Sequence, residues 1–148
     1  MEGRISVHID RPAAEVFAYI ADLEKAPEYV PSLVSIRKVS PGETGVGTRY
    51  EEVVELAGRR GDGTMEVTEY APPRVLAHKG EGGSASFTTK FIVEPDGDDA
   101  CTVTQEYSVK LSGFGGKLIA PMVNRTVKST NEEAAANLKK ILETGRLD

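Results

Sequence analysis

Two carboxylates, a histidine and two tyrosines occupy positions from which strand alternation could aim them at one shared interior. Between residues 48 and 56 the even positions hold Tyr50, Val54 and Leu56, while the odd ones hold Arg49, Glu51 and Glu55 with Val53 the one apolar member. Successive side chains of a strand point to opposite faces, so the even face is the inner one and carries Thr48 and Glu52 inward. Met65 and Val67 mark the inner face of the next strand, and parity adds Glu69. Phe87, Phe91 and Val93 mark it later, with Thr89 among them. Val103, Val109 and Leu111 mark it last, with Gln105 and Tyr107 between them. Parity leaves residues 75–79 undecided; Leu76 inward would bring His78 inward too.

A carboxylate surrounded by apolar side chains resists ionisation and can shuttle a proton near neutral pH. Glu52, Glu69 and His78 are therefore the acid–base candidates, with the Tyr50 and Tyr107 hydroxyls beside them. Each has a structural alternative. The glutamates could be solvated or ion-paired at strand ends, the tyrosines could be core rings, and Gln105 could satisfy a backbone group. His78 could be a structural histidine, while His8 alternates onto a polar face.

Other chemistries are unsupported. No H-E-x-x-H occurs, and Cys101 is the single cysteine, so no transition-metal site and no internal disulfide are expected. G-x-S-x-G is missing. "GFGGKL" lacks the first glycine and the hydroxyl residue of a phosphate loop, and "GVGTRY" and "GEGGSA" miss the dinucleotide fingerprint. No cofactor is expected. The net charge is −5, from 23 acidic and 18 basic residues without a basic run, which disfavours nucleic acid as a partner. "MEGRISVHIDRP" has no apolar leader core and no later stretch approaches a membrane span, so a cytoplasmic chain without stable membrane insertion is expected. Oligomeric state is left open, a homodimer included.

The elements that would position these residues follow from periodicity. Ile5, Val7 and Ile9 alternate with polar residues over 4–9, a half-buried strand. Pro12 suits the first turn of a helix carrying Val16, Phe17, Ile20 and Leu23, and Pro27 stops it; residues 28–33 make one further helical turn. Six more strands follow at 34–39, 47–57, 64–70, 75–79, 86–94 and 101–111, divided by Gly- and Pro-rich turns. The tail from 114 to 142 is helical, with Leu118, Met122, Leu138, Ile141 and Leu142 at repeating i, i+3, i+4 intervals and Val123, Val127, Thr130 and Ala134 bridging the middle. The fold class is α+β: a seven-stranded curved antiparallel sheet around one long C-terminal helix. No repeat or linker divides residues 1–148, so a single domain is expected.

In order along the chain, "HIDRPAAEVFAYIADLEKAPEYVPSLVSIRKV", "GVGTRYEE", "EVTEYAPPRVLAHKG" and "FTTKFIVEPDGDDACTVTQEY" resemble the START-like helix-grip superfamily. Within it the chain is similar to the polyketide cyclase/dehydrase (SRPBCC) branch. The resemblance covers essentially the whole chain and implies an apolar cavity between sheet and final helix. Its lining would comprise Tyr50, Glu52, Val54, Met65, Val67, His78, Phe87, Thr89, Phe91, Gln105 and Tyr107. "SGFGGKLIAPMVNR" would gate it, with Gly113, Gly115, Gly116 and Pro121 loosening a segment whose Phe114, Leu118, Ile119 and Met122 face the opening; plain packing is the alternative. The function implied is binding or transport of a hydrophobic small molecule, a lipid, isoprenoid or polyketide. The alternative is a polyketide cyclase/dehydratase, for which no catalytic residue carries over by motif.

Overall fold

The computed structural model of the protein describes residues 1–56, 58–113 and 116–147. Strand β1 (Glu2–Ile9) leads into helix α1 (Ala13–Ala21) and a 3₁₀ turn (Leu23–Glu28). Then come β2 (Leu33–Lys38), β3 (Arg49–Leu56), β4 (Arg59–Ala71), β5 (Val75–Gly82), β6 (Ala85–Pro95) and β7 (Cys101–Leu111), and finally helix α2 (Gly116–Thr144). The seven strands form one antiparallel sheet in the order β1-β7-β6-β5-β4-β3-β2. The first strand pairs with the last, and every other pairing joins chain neighbours. This is the helix-grip architecture.

Two strands outrun their sequence expectation, and glycine is the reason. Gly61, Gly63, Gly80 and Gly82 read as turn residues, yet they lie within β4 and β5. A Cβ on Gly63 would stand 3.0 Å from the Glu81 carbonyl oxygen, and one on Gly80 would stand 2.9 Å from that of Thr64. On Gly82 it would meet the Asp62 carbonyl at 3.2 Å. At these three positions the neighbouring backbone comes too close for a side chain, which is how glycine serves inside a strand, whereas a Cβ on Gly61 would meet open space. Pro27 lies inside the 3₁₀ turn rather than ending a helix.

The core lies between the sheet, α1 and the C-terminal half of α2. Ile9, Val16, Ile20, Leu76, Val93 and Cys101 are wholly inaccessible. Among the described residues of the helix, Val127, Ala134 and Leu138 are buried. At 3.6 residues per turn these three share a face, whereas Leu118 stands about 200° round from Leu138. Leu118 is accordingly 87% exposed and Met122 58% exposed. The local intervals around them are helical, but they belong to the opposite stripe. Pro121 lies inside α2 without dividing it.

This asymmetry is measurable. Leu138→Ala should cost about 2–5 kcal/mol in urea unfolding, the range for a truncated core leucine. Leu118→Ala should stay within about 0.5 kcal/mol of the parent, as an unpacked surface change does. Equal losses would contradict a helix held by one half.

Candidate functional site

The sheet does not close completely on α2. A hollow of about 170 Å³ remains between the inner faces of β3–β7, the segment around the 3₁₀ turn and the middle of α2. Its walls are mostly apolar: Leu23, Ala26, Val30 and Leu33 near the turn, Val54 and Met65 on β3 and β4, and Phe87, Phe91, Val109 and Val127 beyond.

The polar lining comes from several elements. Glu52 projects from β3, while His78 of β5 lies in one cross-strand row with Thr89 of β6 and Tyr107 of β7. Glu52 is half-buried, and its carboxylate lies over the glycines of the coiled strands: Glu52 Oε1 is 3.3 Å from where a Gly63 Cβ would sit and 3.9 Å from a Gly80 one. Burial alone pushes its carboxyl up to about 6. His78 packs against Phe91, ring centroids 6.3 Å apart, and burial pushes it down to about 4, so the imidazole is neutral at neutral pH. Gln105 and Tyr107 from β7 gather with Asn131 from α2; Gln105 Nε2 donates to Asn131 Oδ1 at 3.5 Å. Burial also raises the Tyr107 hydroxyl. Its ring covers Gly3 of the paired strand, where a Cβ would come within 2.3 Å of Tyr107 Oη.

Of the residues expected at the site, Glu52, Val54, Met65, His78, Phe87, Thr89, Phe91, Gln105 and Tyr107 line this hollow. Others do not. Glu69 points outward to Lys90 Nζ at 3.4 Å and is exposed. A bulge between Val67 and Glu69 inserts one residue, so Val67 pairs with His78 but Glu69 with Ala77, and the alternation inverts. Tyr70 takes the inward place instead, against the Phe17 ring at 6.0 Å. Tyr50, 2% exposed, and Val67 are sealed in the packed core rather than at the hollow. Leu118 and Met122 are solvent-facing for the reason of helical phase given above, and Ile119 is likewise exposed. Phe114 and Gly115 lie outside the described residues.

Sequence reasoning missed the wall supplied by Leu23, Ala26, Tyr29, Val30 and Leu33, together with Thr130 and Asn131. Both had a signal. The first set recurs every three to four residues across Pro27. Asn131 is a lone amide in the buried stripe of Val127, Ala134 and Leu138.

Residues 2–143 match the family model described as "Polyketide cyclase / dehydrase and lipid transport". No curated protein matches the chain in sequence. Among solved structures, a Thermus thermophilus protein aligns with TM-score 0.81 at 19% identity, over 96% of this chain and 97% of that one. A START superfamily protein from Mycobacterium smegmatis gives 0.78 at 20%, over 96% and 97%. The Zhui aromatase/cyclase from Streptomyces sp. R1128 gives 0.77 at 13%, over 98% and 97%. At such identities the likeness is one of fold.

Opposite pH slopes test the burial of Glu52 and His78. Glu52 holds its proton more tightly folded, at about 6, than at its ordinary 4.5, so its contribution to stability falls as pH rises through 4.5–6. His78, at about 4 against an ordinary 6.5, contributes stability that is lost as pH drops from 6.5 to 4. Glu52→Gln leaves the His78 slope unopposed. Between pH 4.5 and 6, the variant's unfolding free energy should climb relative to the parent by about 1–2 kcal/mol. Parallel curves would put Glu52 in water.

Proposed function

The chain belongs to the polyketide cyclase/dehydrase and lipid transport family, and from that premise we propose that it binds a compact, predominantly apolar small molecule between sheet and helix. We read residues 1–148 as one domain built around that site. The observation that carries the proposal is the hollow itself: about 170 Å³, mostly apolar-walled, with a few polar side chains from β3, β5, β7 and α2. An engineered apolar cavity of about 150 Å³ holds a benzene molecule, so the space is ring-sized. A ring, or the cyclic portion of a longer lipid or polyketide, is the guest of matching size. Glu52, His78, Gln105, Tyr107 and Asn131 would meet its polar substituents.

Phenol is a suitable probe. A ligand that binds only the folded chain stabilises it by about 2.7 kcal/mol at a hundred times its Kd, several degrees in Tm for a chain this size. Thr130→Phe, which fills the hollow from α2, should abolish that rise while leaving a cooperative transition. A parent protein indifferent to phenol contradicts the reading.

A second reading, polyketide cyclisation or dehydration, is favoured by one observation. Glu52, with its carboxyl raised to about 6, and neutral His78 line the same hollow. A general base works best with a pKa near the working pH. Glu52 would abstract the proton from the carbon between two carbonyls and return it to the departing hydroxyl. Glu52→Gln should then reduce turnover of a poly-β-ketone about a hundredfold or more while phenol binding persists. Undiminished turnover would rule out the carboxylate.

A further inference from the structure

The hollow is not the whole interior. Beyond Gln105 and Asn131 lies a smaller void of about 40 Å³, bounded by Ile5 and Val7 of β1, Val103 of β7, and Ala134, Ala135 and Leu138 of α2. Tyr29, Val30, Phe91, Gln105 and Asn131 border both spaces. The two amides are the polar members of that shared wall that meet across it, and their hydrogen bond spans from sheet to helix at 3.5 Å. That length is at the outer limit of a real bond.

We propose that the smaller void is a binding subsite for a short alkyl branch of the ligand, with the Gln105–Asn131 contact as the door between them. The inference rests on the binding reading above and specifies its ligand class: a single ring bearing a one- or two-carbon chain. Three features support it. Away from the two amides the wall of the void is apolar, from Ile5, Val7, Val103, Ala134, Ala135 and Leu138, which suits an alkyl group. Parting the amides sacrifices one long hydrogen bond, and Asn131 keeps the Tyr107 hydroxyl beside it. Leu138 and Val103, already buried, would surround the branch on entry. Covering each added methylene from water raises affinity about fourfold.

Phenol, 4-methylphenol, 4-ethylphenol and 4-propylphenol, titrated calorimetrically into the full chain, test this directly. Affinity should rise about fourfold at each of the first two steps and stop rising at propyl, when the void is full. Ala135→Leu occupies the void from the helix. It should flatten the series while holding phenol itself within about twofold of the parent, since the larger space is untouched. Ala134→Val is the substitute should the leucine variant not fold. A parent that binds phenol yet gives a flat series overturns the branch subsite and leaves ring binding standing. So does an undiminished rise in a filled variant. A parent that binds none of the four overturns both.

Discussion

The close approach of β4 to β5 is the constraint on which the interior depends. Gly63, Gly80 and Gly82 let carbonyl oxygens of the neighbouring strand occupy the space that side chains would claim, at 2.9–3.2 Å from each missing Cβ. A sheet coiled this strongly wraps α2 instead of lying flat against it. The same missing side chains leave room above the strands, and Glu52 lies in that room. Shape and chemistry therefore share one cause. Restoring a methyl at Gly63 would push on both the Glu81 backbone and the Glu52 carboxylate.

The helix completes the arrangement by being held unevenly. Ala134 and Leu138 seal its C-terminal half against the core, and α2 runs beside β1 at that end, where Lys139 donates to the His8 carbonyl. Toward its start, Val127 is the buried contact and the space opposite β3–β6 stays unfilled. Burial lost to that void is stability forgone, as is the desolvation of Glu52 and His78. Features that cost stability without a structural return are where function is sought. Here they coincide in one hollow.

The sheet was legible because its signal is local: period-two alternation, broken by turns, gave the strands and most of the inward set from Glu52 to Tyr107. What misled was anything that reset the count. One extra residue between Val67 and Glu69 reversed the parity of the strand beyond it and turned Glu69 to Lys90. Accumulated helical phase carried Leu118 and Met122 away from the stripe of Leu138, although each short interval looked right. Glycine was read as punctuation, which shortened β4 and β5. Inwardness also proved different from access. Tyr50 faces inward and is sealed in the core, because strand parity fixes a side and says nothing about what packs over it. Asn131 needed the opposite inference, from one polar residue in a buried stripe.

Methyl spectroscopy of the methionines tests the central claim most directly. The chain has three: Met65 lines the hollow, while Met122 stands largely in solvent on the far face of α2. With carbon-13 in the methionine methyls, phenol should shift the Met65 resonance along a saturating curve and leave that of Met122 in place. A Met65 signal that stays fixed while phenol saturates the protein would mean that the guest lies elsewhere.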